Sequence, residues 1–287
     1  MLAFSLIPHW FQLVYIGLCS LCLGSFLNVV IYRLPLQLEF RWRRECTEFL
    51  ESRKTETETL PAWAMNLWKS RSHCPVCATR IRWYDNIPVL SWFILAGKCR
   101  HCQARINLRY PLVESLTTLI CILFFLQYGA SLKFLCVLPF VLLLITLTFI
   151  DLDEQLLPDD LTLPLLWLGL LINVQGVFVP LPAAVYGAAA GYLILWLIYW
   201  IFKLLTGKEG MGYGDFKLLA ALGAWLGWQC LPIILLLASL TGAVAGIGYL
   251  LVRRKNLAFP FGPYLATAGL IALFYHTTLL TWFLGHG

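Results

Sequence analysis

Apolar runs of membrane-spanning length recur along most of this sequence, and they leave few folds open to it. About 20 apolar residues in a helix are enough to cross a bilayer. Hydrophobic residues make up 60% of the 287 residues and charged residues only 13%, whereas a soluble domain carries about 25% charged residues. The sequence therefore predicts an all-α polytopic membrane protein. We expect about eight transmembrane helices, the fourth and sixth of them short, at residues 10–32, 112–130, 132–150, 160–176, 183–203, 215–229, 230–252 and 262–285.

Lysine and arginine are distributed unevenly between the segments that join the expected spans. Residues 33–111 contain 14 of them, six more lie on the same side of the membrane, and only Lys133 lies on the other. Because basic residues accumulate in cytoplasmic segments, we expect residues 33–111 to be cytoplasmic and both termini to face outward. Topology accounts for the net charge of +6, so we do not expect binding to nucleic acid. Residues 1–9 lack Lys and Arg, which predicts a retained first helix and no cleaved signal peptide.

The long polar segment at 33–111 contains two Cys-x-x-Cys pairs in its second half. Their four cysteines are Cys74, Cys77, Cys99 and Cys102. Four thiolates can form a tetrahedral shell around zinc, although the 21 residues between the pairs slightly exceed the usual spacing of about 15–20. We predict a structural zinc site. The alternatives are disulfides, which a reducing cytoplasm disfavours, and an iron–sulfur cluster.

Acidic residues lie at the ends of two expected spans, both on the cytoplasmic side. Asp151 ends the third span, and Asp215 opens the sixth within the sequence Gly-Tyr-Gly-Asp. Carboxylates at the membrane are costly to keep there, so they suggest a function. Two aspartates brought together share a proton, and this arrangement suits peptide hydrolysis. One of them takes a proton from water while the other polarises the scissile carbonyl.

The glycines beside Asp215 fit the same interpretation. Gly212 and Gly214 would allow unusual backbone angles and the close approach of a substrate strand. The alternative for Asp215 is a helix N-cap, with the glycines forming the turn. The alternative for Asp151 is a residue that ends a span at the water boundary. On the residues alone, both alternatives stay open.

Four blocks of the sequence, in this order, resemble the type IV prepilin peptidases of bacteria. They are LGSFLNVVIYRLP at 23–35, YDNIPVLSWFILAGKCRHCQARINLRYPLVE at 84–114, FIDLDEQLLPD at 149–159 and GYGDFKLLAALGAWLGW at 212–228. The resemblance implies an aspartic endopeptidase of the bacterial inner membrane, with Asp151 and Asp215 as its dyad and periplasmic termini. It also implies substrates, namely the prepilins of type IV pili and the pseudopilins of type II secretion, which lose a short basic leader at the cytoplasmic face.

Larger members of this family also methylate the new N-terminal amine with S-adenosylmethionine, and the resemblance links that reaction to the cytoplasmic insertion. This chain has the full insertion, so we expect both activities. A peptidase without methyl transfer, similar to preflagellin peptidases, is the alternative. No glycine-rich dinucleotide-binding motif is present, so the candidates for methyl transfer are polar residues of the family blocks: Asn28, Arg33, Asp85, Ser91, Lys98 and Glu114. The alternative roles are a hydrogen bond between helices for Asn28 and an ion pair with Arg109 or Lys98 for Glu114.

The expected organisation has three parts. Residues 1–32 form the first transmembrane helix, residues 33–111 a cytoplasmic domain with the zinc site, and residues 112–287 a transmembrane protease core of about seven helices. A polytopic transporter or a membrane-embedded assembly factor is the alternative from another functional class. A transporter would place its acidic residues near the bilayer midplane, whereas Asp151 and Asp215 lie at span ends.

Overall fold

A computed structural model describes residues 7–50, 72–208, 210–253 and 260–284. These residues form helices and loops without a β-strand, which confirms the predicted all-α class. Residues 51–71 of the expected cytoplasmic domain lie outside the described part of the chain. The helices are α1 (His9–Leu50), α2 (Leu90–Ile94), α3 (Arg109–Tyr128), α4 (Leu132–Glu154), α5 (Asp159–Asn173), α6 (Leu181–Thr206), α7 (Tyr213–Leu226), α8 (Leu231–Arg253), α9 (Gly262–Phe274) and α10 (His276–Leu284).

Five segments of the described chain are long and apolar enough to cross a membrane. They are His9–Phe49, Arg109–Tyr128, Leu132–Glu154, Leu181–Thr206 and Trp228–Gly248. The helices at the fourth and sixth expected spans, α5 and α7, have only 15 and 14 residues. The last expected span consists of two helices, α9 and α10, because the backbone at Tyr275 leaves the helical conformation.

Helix α1 continues well beyond the expected end of the first span at residue 32. It runs to Leu50 with Pro35 inside it, so membrane and polar segments form one helix of 42 residues. Its polar end carries the pairs Arg43–Glu39 and Arg44–Glu48, each four residues apart with an N–O distance of 2.6 or 2.7 Å. Pairs at this spacing stabilise an exposed helix slightly. The apolar pattern shows where the lipid ends, but the helix does not end there.

The chain divides into two compact units, unit 1 at Met1–Ser131 and unit 2 at Leu132–Gly287. In unit 1, helix α1 packs against α3, so the second span, which the sequence analysis assigned to the protease core, belongs with the first helix. The approach is close at Gly24, where a Cβ would lie 2.8 Å from the Cα of Glu114. Only glycine therefore fits at this helix crossing.

In unit 2, helix α7 lies at the centre and packs against α5, α6 and α9. Small residues bring α6 and α7 together, because a Cβ at Gly187 would lie 2.3 Å from the carbonyl oxygen of Gly223. The buried Asn173 fixes the other end of α7. Its amide donates to the carbonyls of Ala224 and Trp225 and accepts from two loop amides, at distances of 2.9 to 3.2 Å. These contacts hold the helix that carries Asp215.

Candidate functional site

Asp151 and Asp215 lie near each other inside unit 2. Asp151 is in the last turn of α4 and Asp215 in the first turn of α7, and only 5% and 7% of their surfaces are exposed. The negative charge of Asp151 acts directly on Asp215. Helix α7 begins at Tyr213, with Gly212 as its N-cap residue and no capping bond from a side chain. The alternative that Asp215 is the N-cap is therefore wrong.

The first residue of α9 contributes a hydrogen bond to this pair. The backbone N–H of Gly262 donates to Oδ2 of Asp151 at 3.0 Å, across 111 residues of sequence. A Cβ at Gly262 would lie only 2.6 Å from the same oxygen. Gly262 is not among the site residues that the sequence predicts. The only signal for it is the Gly-Pro pair that opens an apolar run, which is typical of any helix start.

The two glycines beside Asp215 have different surroundings. A Cβ at Gly214 would lie 2.7 Å from the Cβ of Leu157, so this glycine is required by packing. A Cβ at Gly212 would meet nothing closer than 4.0 Å, and one of its two nearest atoms would be Oδ2 of Asp215. Leu157 also contacts the position of Gly262, at 3.2 Å from its would-be Cβ. Leu157 thus links the starts of α7 and α9, which brings the two aspartates together.

One carboxylate oxygen of the pair lacks a partner. Within the part of the chain that the structure describes, Oδ1 of Asp215 is buried and forms no hydrogen bond. Buried polar atoms are nearly always hydrogen-bonded, so an exception calls for an explanation. One explanation is that this oxygen carries a proton or accepts one from a substrate water. The arrangement can perform acid–base chemistry.

The four cysteines of the two Cys-x-x-Cys pairs converge in unit 1. Their sulfur atoms lie within 4.8 Å of one another, and Sγ of Cys74 is 3.7 Å from Sγ of Cys102. In a tetrahedral zinc site with Zn–S bonds of about 2.3 Å, sulfur atoms are about 3.8 Å apart. A disulfide requires about 2.05 Å, and these cysteines are free thiols in the structure. The donor set therefore fits zinc.

The cysteine module, residues 72–106, consists of two copies of one local structure. In the first, the amide of Cys74 donates to the carbonyl of Thr79, and the chain bridges between His73 and Arg80. The second repeats both features 25 residues later, between Cys99 and Ala104 and between Lys98 and Arg105.

The surroundings of Cys77 favour a metal-binding thiolate. Hydrogen bonds between Cys77 and the side chain and backbone of Thr79 lower the pKa of the Cys77 thiol to about 6. A thiolate is the form that binds metal. The surroundings of Cys77 thus favour the thiolate, whereas desolvation and the neighbouring thiols raise the pKa of Cys102 to about 11.

Comparison with known proteins gives the same family for both units. The family model described as "Bacterial Peptidase A24 N-terminal domain" matches residues 18–128, and "Type IV leader peptidase family" matches residues 136–247. A protein of Aeromonas salmonicida named "Prepilin leader peptidase/N-methyltransferase" is 54% identical over 277 residues, which are 96% of this chain and 94% of that protein. The chain belongs to the type IV leader peptidase family.

Further relatives carry the same name. The Legionella pneumophila protein is 46% identical over 96% of both chains, and the Pseudomonas aeruginosa protein is 50% identical over 89% of this chain and 88% of its own. No solved structure matches the chain significantly. Gly262 lies beyond the residues that the type IV leader peptidase model matches, so its contact with Asp151 is known from the structure alone.

Two of the methyl-transfer candidates, Glu114 and Asn28, lie close together in unit 1. Glu114 near the start of α3 and Asn28 on α1 are buried neighbours, with 7% and 3% of their surfaces exposed. The alternative role that the sequence predicts for Glu114 is an ion pair with Arg109 or Lys98. That expectation is wrong, because the carboxylate accepts its hydrogen bond from the backbone of Val89 at 2.6 Å.

The other candidates have separate contacts. Asp85 accepts three hydrogen bonds of 2.6 to 3.0 Å from Arg100, which lies next to Cys99, so this aspartate supports the cysteine module. The hydroxyl of Ser91 donates to the carbonyl of Ile87 at 2.7 Å. Lys98 is exposed in the cysteine module, and Arg33 is buried on α1.

Proposed function

We propose that this protein removes the short basic leader from type IV prepilins and from type II secretion pseudopilins, and then methylates the new N-terminal amine. Asp151 and Asp215 are its catalytic dyad. The observation that carries this proposal is the buried pair of carboxylates at the ends of two apolar helices. Family membership supports the substrate class, because the relatives are named for prepilin cleavage and methylation.

The surroundings of the two aspartates suggest different roles in cleavage. An N–H donor stabilises an ionised carboxylate, so Asp151, which accepts from Gly262, suits the general base that takes a proton from water. Asp215 then carries the shared proton and uses it to polarise the scissile carbonyl. When the tetrahedral intermediate collapses, that proton goes to the departing amine. Gly212 has room beside Asp215 and allows the substrate backbone to approach.

The cytoplasmic membrane face is the proposed place of reaction. The charge asymmetry of the sequence puts the starts of α5 and α7 on that side, with both termini in the periplasm of a bacterial inner membrane. A prepilin already has an apolar helix in the bilayer, so it reaches the dyad by moving laterally. Asp159, at the start of α5 on this face, forms an ion pair with Lys217 at 2.6 Å.

The cysteine module is the proposed zinc site, with Cys74, Cys77, Cys99 and Cys102 as ligands. Because a segment this short buries few apolar side chains, zinc binding would contribute much of its folding free energy. Zinc held by four cysteine ligands has no open position and has a structural role. The methyl donor for the second reaction is S-adenosylmethionine.

The test uses purified protein, a full-length prepilin and labelled S-adenosylmethionine in one reaction. We expect leader cleavage by the wild type, none by Asp151→Asn or Asp215→Asn, and label on the cleaved pilin. Normal cleavage by both variants would refute the dyad. Cleavage without label would support the alternative of a peptidase that does not transfer methyl, and absence of cleavage by the wild type would favour a transporter or assembly factor.

The metal requires a separate measurement. Elemental analysis of the purified protein is expected to give about one zinc per chain. A folded and active preparation without zinc would refute the metal assignment while leaving the peptidase proposal intact. A content of iron would instead support the iron–sulfur alternative.

A further inference from the structure

A second buried carboxylate, Glu114, forms a polar cluster that peptide cleavage does not use. Its polar neighbours on α1 are Ser25 and Asn28. The surroundings are the apolar helices α1 and α3, which pack closely at Gly24. Moving a carboxylate from water into such a place costs free energy. If Glu114 only packed between the helices, an apolar side chain would stabilise the protein more.

The backbone amide that binds Glu114 belongs to a strained turn. Val89 has φ 59° and ψ −52°, and the amide of Leu90 donates to the carbonyl of Pro88 at 2.5 Å. This is the γ-turn with a positive φ, which is rare and strained, and a β-branched residue at positive φ is a genuine outlier. The N–H of Val89 donates to Oε2 of Glu114 at 2.6 Å. Such strain persists where the surrounding structure imposes it, and it is most common at functional sites.

Asn28 adds an oxygen without a partner to the cluster. Its Nδ2 donates to the carbonyl of Tyr110 at 3.1 Å, while Oδ1 is buried and has no hydrogen bond among the described residues. Leaving a buried acceptor unsatisfied costs about 1–3 kcal/mol. The cluster therefore offers a carboxylate and an amide oxygen, both acceptors, to a ligand that supplies donors. A protonated amine has three N–H donors and the complementary charge.

We propose that Glu114 and Asn28 bind the N-terminal amine that accepts the methyl group, and that Glu114 is the base that deprotonates it. This inference rests on the methyl-transfer half of the proposed function. The ammonium group of the cleaved pilin gives a proton to the Glu114 carboxylate, which leaves a free lone pair on nitrogen. That lone pair forms the N–C bond to the methyl carbon of the sulfonium donor. The S–C bond breaks, and its electron pair stays on sulfur as a thioether.

A structural role for Glu114 predicts a different result from a catalytic one. Glu114→Gln keeps the shape and keeps an oxygen that accepts from Val89, but the amide cannot take a proton. If Glu114 only holds the turn at Val89, this variant stays active. If Glu114 is the base, methyl transfer at pH 7 falls about tenfold, because an α-amine with a pKa near 8 is only about one-tenth neutral at that pH. Glu39→Gln, an exposed change on the same helix as Asn28, is the matched control.

Two measurements test the inference, and one of them needs no methyl donor. The first is binding of a leaderless pilin peptide with a free amine or with an N-acetyl group. We expect the wild type and Glu39→Gln to prefer the free amine, and Glu114→Gln and Asn28→Ala to lose that preference. The second is the pH dependence of methyl transfer. Glu114→Gln should recover activity as the pH rises above about 8, where the α-amine loses its proton without help.

Leader cleavage in the same preparations separates this inference from the proposed function. We expect all four proteins to cleave prepilin at rates within about twofold of one another, since no variant touches the dyad. Equal methyl transfer and equal amine preference in the wild type and Glu114→Gln would overturn this inference alone. A joint loss of cleavage and transfer in Glu114→Gln would also overturn it, because a structural role would then suffice. A wild type that cleaves but neither methylates nor prefers the free amine would overturn the methyl-transfer half of the proposed function together with this inference.

Discussion

Replacing Gly262 by alanine tests whether a backbone amide positions Asp151 for catalysis. The added Cβ would lie 2.6 Å from Oδ2 of Asp151, whereas ordinary contact begins at 3.4 Å, so the carboxylate must retreat by about 0.8 Å. The hydrogen bond from the Gly262 amide, now 3.0 Å long, would then exceed the length at which such bonds form. A hydrogen bond to a charged group contributes about 1.5–3 kcal/mol. At 1.36 kcal/mol per factor of ten, we expect kcat for leader cleavage to fall about 10- to 160-fold.

The matched control lies on the same helix. A Cβ at Gly269 would meet the side chain of Leu222 at 2.5 Å, a similar steric overlap that involves neither aspartate. Gly269→Ala should therefore lower the melting temperature about as much as Gly262→Ala does, but it should keep turnover per folded molecule. Initial rates of prepilin cleavage and thermal unfolding in detergent, measured on both variants, give the comparison. A Gly262→Ala enzyme as fast as the wild type, or an equal loss in Gly269→Ala, would refute the positioning role.

Three further changes test other parts of the structure. Cys99→Ser removes one thiolate of the cysteine module, so zinc content by elemental analysis should fall and limited proteolysis should cut residues 72–106; retained zinc would contradict the ligand assignment. Asn173→Ala removes four hydrogen bonds, three of them buried, and should lower the free energy of unfolding by about 2–4 kcal/mol; a loss below about 1 kcal/mol would show that water replaces them. Lys217→Gln breaks a partly exposed ion pair with Asp159, so denaturant unfolding should show a loss within about 1 kcal/mol, and a larger one would mean that the pair is effectively desolvated.

The membrane character of the chain follows from composition, but the limits of its helices do not. Hydropathy located most of the spans because transfer from water to lipid depends on local apolar content. It placed the end of the first span at residue 32, although the helix continues to Leu50. Backbone hydrogen bonding extends a helix through polar residues at little cost, particularly where ion pairs such as Arg43–Glu39 support it. The break after Phe274 was also missed, because no Gly or Pro marks it.

The sequence identified side chains that carry chemistry but not the backbone groups that orient them. Asp151 and Asp215 were proposed from their span-end positions and from resemblance, and their catalytic roles stay predictions. Gly262 could not be predicted, because nearly every residue has a backbone N–H donor. Its position in the sequence therefore does not indicate that its amide binds Asp151. Glu114 was identified, but with the wrong partner. Charge suggested Arg109 or Lys98, whereas a turn at Val89, in a conformation unexpected for valine, supplies the bond.

The same arrangement occurs twice in this protein, once in each unit. Asp151 and Glu114 are buried carboxylates, and each accepts a hydrogen bond from the backbone amide of a residue distant in sequence, Gly262 or Val89. Each of these carboxylates has a neighbour with a buried oxygen that has no hydrogen-bond partner among the described residues, Asp215 in unit 2 and Asn28 in unit 1. A side chain fixed on one oxygen by the backbone keeps its other oxygen in a defined direction, as a general base requires. Packing alone does not explain two such pairs, because satisfied or apolar groups would be more stable in both places. The two proposed proton-transfer sites, one for hydrolysis and one for methylation, would account for both pairs.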